Sequence, residues 1–203
     1  NTRRFGASLE KIKQVVDVRD GEIMFGLNMV VHKGKTIFVG DTSVHEYPTS
    51  EQMAEIAIST ARVVRLFGFE PKVAFVSHST FGQPLTSRTK HIRKAVDILK
   101  EQKVDFEFDG DMQPDVALNS EYEELYPFSN IVGKANILIM PGQHSAAISY
   151  KMMKTLGDTK VIGPLLIGLG LPIEIAPLRS STSELINLAS VAAYSADIID
   201  YKK

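Results

Sequence analysis

Hydrophobic positions change their period several times along the chain, and each change predicts a helix or a strand. Residues 23–31 (IMFGLNMVV) and 36–41 (TIFVGD) are β-rich runs joined by HKGK, which predicts a hairpin with Gly34 in its turn. Apolar residues then recur at helical spacing up to Gly68. This spacing predicts a helix that is capped by Thr49 or Ser50 and ends at Gly68.

Short apolar strands alternate with amphipathic helices in the rest of the chain. Strands are predicted in KVAFVS, VDFEFDGDM, NILIMP, VIGPLLIG and PIEIAP, and helices in SRTKHIRKAVDILKEQ, QHSAAISYKMMKTLG and STSELINLASVAAYSADIID. The alternation predicts an α/β fold with a mostly parallel sheet, to which the hairpin adds an antiparallel edge. Because no linker, repeat or low-complexity tract interrupts the pattern, we treat residues 1–203 as one domain.

Composition and charge exclude several classes of function. The chain has a net charge of -1 and no long basic run, which argues against a nucleic-acid groove or an anionic membrane surface as partner. It has no cysteine, so disulfides, thiol catalysis and thiolate metal sites are absent. Apolar runs such as ANILIM are too short to span a bilayer and no signal peptide opens the chain, which predicts a cytoplasmic protein. The first residue is Asn1, which predicts an excised part of a longer polypeptide.

Polar clusters follow four of the predicted strands. Because ligands in α/β sheets bind beyond the carboxyl ends of the strands, we expect the four clusters to line one crevice. The candidate ligand-binding residues are Ser77, Ser79 and Thr80 after the first strand, Gln113 and Asp115 after the second, His144 and Ser145 after the third, and Arg179, Ser180, Ser181 and Thr182 after the fourth.

Each cluster also has an ordinary structural interpretation. Ser and Thr residues cap turns, and a histidine that opens a helix is more often a hydrogen-bonded residue than a base. The carboxylates of Asp109, Asp111 and Asp115 resemble ligands of hard cations, but their spacing matches no complete metal loop, so no metal is predicted. His32, His45 and His91 are weak candidates. Glycine-rich dinucleotide, P-loop and GxSxG motifs are absent.

Arg179 and the hydroxyl residues that follow it leave two interpretations open. The N-terminus of the last helix and the guanidinium could together hold a phosphate. Alternatively, Arg179 forms a surface ion pair with Glu174 or Glu184, and Ser181 or Thr182 caps the helix.

A run of motifs carries a resemblance to a known family. The segments MAEIAISTA, GFEPKVAFVSHSTFG, DGDMQPDVALN, YPFSNIVGKANILIMPGQHSAAISYKMMKTLG, VIGPLLIGL and ELINLA, in this order, resemble the phosphate acetyltransferase and phosphate butyryltransferase family over nearly the whole chain. Within it, VHEYPTSEQMAEIA and IEIAPLRSSTSELINLA look most like the C-terminal domain of bacterial hybrid NADP-dependent malic enzymes. The opening NTRRFGASLEKIKQVVD resembles a segment midway through that transferase-like part.

The resemblance implies a fold and a ligand. It implies two α/β lobes related to those of isocitrate and isopropylmalate dehydrogenases, with the CoA substrate in the cleft between them. This chain would then contain one lobe nearly whole and the C-terminal strands and helix of the second. It would be a phosphotransacetylase-like domain that lacks the malic enzyme and roughly the first third of the transferase-like region.

The family's catalytic residues do not carry over to this sequence. Its serine and arginine before the last helix fall on Pro177 and Leu178, and its aspartate falls on Glu184. A second arginine falls on Gly6, with Arg3 and Arg4 near but out of register. Transfer between acetyl phosphate and CoA needs cations at the phosphate and an acceptor for the thiol proton. We therefore expect no catalytic residues, and CoA binding without turnover.

Three functions follow from the resemblance. The leading one is an acetyl-CoA-sensing regulatory and oligomerisation module of an NADP-dependent malic enzyme, which converts malate to pyruvate, CO2 and NADPH. The domain itself would hold no cofactor, whereas NADP and a divalent metal, Mg or Mn, would bind the missing N-terminal malic enzyme domain. The second is an active phosphate acyltransferase in which Arg179 and Ser180 or Ser181 replace the lost groups. The third is a purely structural module.

The closing helix also predicts self-association. It carries more apolar surface than a solvent-facing helix normally shows, which favours a homodimer or higher homo-oligomer, with burial of the helix inside its own lobe as the alternative. The residues concerned are Leu185, Ile186, Leu188, Ala189, Val191, Ala192 and Ala193.

Overall fold

The computed structural model describes residues 5–131 and 133–198. Its strands are β1 (Phe25–His32), β2 (Lys35–Gly40), β3 (Lys72–Val76), β4 (Glu107–Met112), β5 (Ile137–Ile139) and β6 (Thr159–Ile167). Its α-helices are α1 (Phe5–Ile12), α2 (Ser50–Leu66), α3 (Ser87–Gln102), α4 (Pro114–Leu118), α5 (Gln143–Leu156) and α6 (Thr182–Ile198), and a 3-10 helix spans Ser120–Leu125. Arg3 and Arg4 lie outside the described residues.

The six strands form one mixed sheet in the order β4-β3-β5-β2-β1-β6. β2, β5, β3 and β4 pair in parallel, whereas β1 runs antiparallel to both β2 and β6. The predicted α/β fold, the mostly parallel sheet and the antiparallel hairpin are therefore confirmed. Five strands point the same way, so their carboxyl ends meet at one edge of the sheet.

Two predictions about the sheet are wrong. The hairpin of β1 and β2 does not form an edge of the sheet, because β6 pairs with the free side of β1 from Phe25 to His32. The segment PIEIAP is not a strand: it contributes only an isolated antiparallel bridge from Glu174 to Leu165. The chain therefore turns back alongside β6 after Ile167, and residue 177 does not follow the carboxyl end of a parallel strand.

Helices cover both faces of the sheet. α2, α3 and α6 pack on one face over a core that includes Phe38, Phe75 and Leu188. α4 and α5 cover the other face, where Ala117 and Ala146 are buried. The C-terminal β6 and α6, expected in a second lobe, belong to this same layered unit because β6 continues the sheet and Leu188 enters its core.

Capping residues set the helix starts that position the site. Thr49, one of the two caps that the sequence predicts, caps α2 in a reciprocal pair with Gln52. Thr86 caps α3 in the same way with Thr89. Over the described ranges, every helix is too short or too polar to cross a membrane.

Candidate functional site

A cleft of about 420 Å³ opens at the carboxyl edge of the sheet. The loop after β2, the end of β3, the first turn of α3 and the start of α5 form its walls. It is lined by Glu46, Tyr47, Val76, Ser77, His78, Arg88, Ile92, Pro114, Met140, Pro141, Gly142, His144, Ser145 and Ser149. Its volume lies within the range of ordinary ligand pockets, and its lining combines apolar side chains with a few polar groups.

The buried carboxylate of Asp41 holds the loop that supplies Glu46 and Tyr47. One carboxylate oxygen accepts the backbone N–H groups of Gly26, Ser43 and Val44 at 2.8, 3.0 and 3.2 Å. The other accepts the N–H of His45 at 2.8 Å and the His45 ring Nδ1 at 2.7 Å. His45 is therefore tied to Asp41 through both its backbone and its ring. The loop therefore has a fixed shape before any ligand enters.

Arg88 brings a positive charge into the cleft. It occupies the first turn of α3, whose start is fixed by the cap at Thr86. Its guanidinium lies over the ring of Tyr47, 5.1 Å from the ring centroid, in cation–π geometry. Arg88 thus lies at the cleft wall, and because the residue is exposed an anionic ligand can reach it.

The N-terminus of α5 points into the same cleft. Its N-cap is Gly142, so no side chain caps the first N–H groups of the helix. The N–H of Gln143 donates to the carbonyl of Glu46, and the Ser145 hydroxyl donates to the carbonyl of Gly142. An uncapped helix N-terminus favours anions through its N–H groups and its dipole.

His144 lies at the mouth of the cleft. Its Nε2 is 3.5 Å from the Glu46 carboxylate, and its ring stacks on Tyr47 at a centroid distance of 6.5 Å. The ring of Tyr47 therefore contacts both the imidazole of His144 and the guanidinium of Arg88.

The first predicted cluster consists of Ser77, Ser79 and Thr80. One of these residues lines the cleft, and the other two make hydrogen bonds that hold its wall in place. Ser77 lines the cleft. Ser79 is fully buried and donates its hydroxyl to Asp111. Thr80 accepts the N–H of Gln113, which in turn donates its side-chain amide to the carbonyl of His78. These bonds tie the end of β3 to the end of β4.

The acidic cluster also has structural partners. Asp109 accepts the backbone N–H groups of Gly110 and Asn130, and Asp111 accepts that of Gly82. Asp115 is exposed in the first turn of α4. Among residues 5–131 and 133–198 no group of three potential ligands could hold a metal ion.

The fourth cluster lies away from the cleft, contrary to the prediction of a single crevice. Pro177 and Ser180 border a separate hollow of about 200 Å³ with Lys151 and Lys154 of α5. Lys154 is ten residues along α5 from His144, about 15 Å at the helical rise. The physical reason is the return of the chain alongside β6, which carries residues 177–182 away from the carboxyl edge.

The helix start after Arg179 is capped by its own residues. Ser181 accepts the N–H of Glu184, and Glu184 accepts both the N–H and the hydroxyl of Ser181. Glu184 also pairs with Lys154 at 2.6 Å, and the hydrogen bonds from Lys154 and Ser181 lower its pKa to about 2. A carboxylate thus already occupies the N-terminus of α6, which favours the cap over the anion site. Arg179 is exposed.

The remaining histidines have local roles. His91 contacts the Pro48 carbonyl and Ser50, and His32 contacts Asp158 and Thr159. His45 is the partner of Asp41.

Sequence reasoning missed several cleft residues, which are Glu46, Tyr47, His78, Arg88 and Ser149. Arg88 lies in the segment SRTKHIRKAVDILKEQ, for which the sequence predicts only an amphipathic helix. A detectable signal existed, because Arg88 follows the cap at Thr86 by two residues and precedes buried Ile92 by four. It therefore lies on the inward side of α3.

Comparisons with known proteins fit this architecture. Residues 1–193 match the family model described as "Phosphate acetyl/butaryl transferase". The chain is 45% identical over 195 residues to an NADP-dependent malic enzyme of Rhizobium meliloti, covering 96% of this chain but 26% of that protein. It is 35% identical over 162 residues to a phosphate acetyltransferase of Clostridium acetobutylicum, covering 79% of this chain and 49% of that protein.

A solved structure shares the fold. A phosphotransacetylase from Streptococcus pyogenes superimposes with a TM-score of 0.89 at 28% identity, over 97% of this chain and 61% of that one. The comparisons establish a phosphotransacetylase-like α/β fold. Kinship with isocitrate and isopropylmalate dehydrogenases stays a prediction.

Proposed function

The chain belongs to the phosphate acetyl/butyryl transferase family, and we propose that it is an acetyl-CoA-binding regulatory domain that transfers no acyl group. The observation that carries this proposal is the preformed cleft at the carboxyl edge of the sheet. Arg88 and the uncapped N-terminus of α5 offer a cation and N–H donors to the phosphates of CoA. Tyr47, Met140 and Pro141 offer apolar surface to its pantetheine arm.

The absence of turnover rests on the residues before α6. The positions that match the family's serine and arginine are Pro177 and Leu178, which have neither a hydroxyl nor a charge. The other candidates for the thiol contact are Ser180 and Ser181. Ser180 borders the separate hollow, and the Ser181 hydroxyl bonds to Glu184 at the start of α6. Among the described residues, the cleft lining therefore holds no second arginine or lysine beside Arg88 to oppose the charge of the phosphate that exchanges the acyl group with CoA.

We extend the proposal to the full-length protein. The chain spans about 26% of the length of the Rhizobium meliloti malic enzyme that it resembles. It covers a similar share, 27% and 25%, of two further relatives that are also named as malic enzymes. The complete polypeptide would convert malate and NADP to pyruvate, CO2 and NADPH, with NADP and Mg or Mn held outside this domain. Acetyl-CoA is a chemically reasonable effector because it lies downstream of pyruvate.

Replacing Arg88 with alanine tests the binding site. Calorimetric titration of the full-length protein should show acetyl-CoA binding that weakens by roughly tenfold or more in Arg88→Ala, because a charge-assisted bond to phosphate is lost. Arg65→Ala is the matched control, since Arg65 pairs with Asp105 outside the cleft. Equal affinity in wild type and Arg88→Ala would reject the cleft as the site.

The same preparations test the lack of turnover. A coupled assay with CoA and acetyl phosphate should give no acetyl-CoA above the rate without protein. Clear turnover that Arg179→Ala abolishes would instead establish the active transferase.

We also propose that α6 takes part in a homodimer. Leu188 is buried in the core and Val191 is half-buried, but Leu185 and Ile186 remain exposed at 47% and 59%. Light scattering of the full-length protein at tens of micromolar should give at least a dimer, and Ile186→Glu should shift it towards smaller species. A wild-type monomer would reject this part of the proposal.

A further inference from the structure

An apolar patch lies on the outer surface beside the start of α3. Its centre is the ring of Phe81, which packs against Phe128 at 4.8 Å and against Tyr126 at 5.4 Å between ring centroids. Phe128 is 64% exposed, and Leu85, which lines the same hollow as Phe81, is 57% exposed. Large apolar side chains that are exposed singly are normal, whereas neighbouring ones indicate a contact surface. We call these four residues the aromatic patch.

Positive charges border one side of the aromatic patch. An open hollow of about 480 Å³ is lined by part of the patch and by the outer side of α3, where Lys90 and Arg93 are exposed. Among the ion pairs of residues 5–131 and 133–198, none involves either cation. Lys94 and Asp97, the other charged residues of the hollow, each pair with a residue that does not line it. Two positive charges are therefore left uncompensated on this side.

Negative charges border another side of the aromatic patch. The 3-10 helix Ser120–Leu125 carries Glu121, Glu123 and Glu124, and all three are exposed. Glu123 and Phe81 border the same small hollow, so the acidic helix adjoins the patch. In the part of the chain that the structure describes, no ion pair involves any of these three carboxylates. This side therefore carries negative charge without a cation.

The loop that carries Phe81 holds the patch and the cations in a fixed relation. The N–H of Phe81 donates to the carbonyl of Asp111 at 2.6 Å, and the N–H of Gly82 donates to the Asp111 carboxylate at 3.0 Å. Gly82 has a φ of +79°, and a Cβ at this position would lie 2.7 Å from Nη1 of Arg93. Glycine therefore lets the guanidinium lie close to the loop backbone. A surface that is shaped in advance loses less entropy when a partner binds it.

A surface with this layout is complementary to itself. When two copies face each other about a two-fold axis through the patch, the basic side of each copy meets the acidic side of the other. We propose that the aromatic patch is a contact between two copies of this chain, in which Lys90 and Arg93 of each copy pair with the acidic 3-10 helix of the other. An aromatic centre with a charged rim is the usual layout of a protein interface.

This contact is separate from the pairing through α6 and goes beyond the proposed function. It needs neither acetyl-CoA nor the cleft, and it alone joins two copies into a dimer. Since each isologous contact joins one pair of copies, the two contacts together build an assembly larger than a dimer.

Charge reversal tests the contact in the full-length protein, with sedimentation velocity at tens of micromolar and low salt. The variants Lys90→Glu/Arg93→Glu and Glu121→Lys/Glu123→Lys should each weaken the association at least tenfold and lower the average mass, because like charges then face each other. An equimolar mixture of the two variants should regain the wild-type mass. One variant is acidic on both sides of the patch and the other is basic on both, so each fits the other.

A matched control changes the same amount of charge elsewhere. Lys11→Glu/Lys35→Glu reverses two exposed lysines outside the patch and should keep the wild-type mass. All the mutated side chains are exposed, so we expect the variants to fold like wild type, which circular dichroism checks.

The outcomes decide between a second copy and another occupant. A lower mass in both reversed variants that recovers in their mixture supports the contact. A wild-type mass in either reversed variant, or a wild-type protein that is monomeric, overturns it. Loss in both variants without recovery in the mixture also overturns it, because the patch then contacts another part of the polypeptide. The calorimetric titration with acetyl-CoA is independent of these results, so failure of the contact and failure of the proposed function are distinguishable.

Discussion

Replacing Asp41 with alanine will lower the free energy of unfolding by about 3–5 kcal/mol. The carboxylate is 3% exposed and accepts four backbone N–H groups, those of Gly26, Ser43, Val44 and His45. Alanine leaves all four without a partner, and each unsatisfied buried group costs about 1–3 kcal/mol before the loop relaxes. Acetyl-CoA should also bind more weakly, because Glu46 and Tyr47 belong to the same loop.

Chemical denaturation followed by circular dichroism measures this loss. Asp41→Asn should fall between wild type and alanine, since one oxygen still accepts N–H groups. Asp105→Ala is the control, because that carboxylate is fully exposed beside Arg65 and should change the midpoint little. An unchanged midpoint in Asp41→Ala would mean that the loop does not depend on the carboxylate.

Replacing Glu174 with glutamine will stabilise the protein at alkaline pH by about 2–4 kcal/mol. Burial raises the pKa of Glu174 from 4.5 to about 8, although the N–H of Leu166 partly opposes the shift. The unfolded chain ionises above pH 4.5 while the folded protein keeps the proton until about pH 8. Wild-type stability therefore falls as the pH rises between these values, and is level below and above them.

Glutamine keeps the acceptor for Leu166 but has no proton to lose. The two proteins should be equally stable near pH 4, and the difference should grow up to about pH 8. The pKa difference of about 3.5 units would correspond to about 5 kcal/mol at about 1.4 kcal/mol per unit. Our range of about 2–4 kcal/mol is smaller because Glu174 is partly exposed and solvent screens its charge. Denaturation midpoints from pH 4 to 9 measure the difference, with Glu124→Gln on the surface as control. Parallel curves for wild type and Glu174→Gln would contradict the buried, protonated carboxyl.

Elements set by local chemistry could be predicted from the sequence. The cap at Thr49 and the helix α3 follow from turn and cap residues and from apolar spacing, and the structure places them where expected. The Ser181 cap was one of two open interpretations, and its partner Glu184 lies three residues on, as in a capping box.

Elements set by distant contacts could not be predicted. The pairing of β6 with β1 joins residues more than a hundred positions apart, and it decides where Pro177 and Arg179 lie. A short apolar run such as PIEIAP shows the same alternation of apolar and polar residues whether it forms a strand or makes only an isolated bridge to one. The sequence pattern therefore could not distinguish the two. The convergence of Tyr47 and Arg88 depends on the Asp41 network and on the direction of α3, neither of which leaves a periodic signal.

A crystal structure of the full-length protein soaked with acetyl-CoA tests the central claim most directly. The account predicts acetyl-CoA with its acyl end between Tyr47 and the start of α5 and its diphosphate at Arg88. Acetyl-CoA bound elsewhere on the protein, with this cleft empty at millimolar ligand, would contradict it.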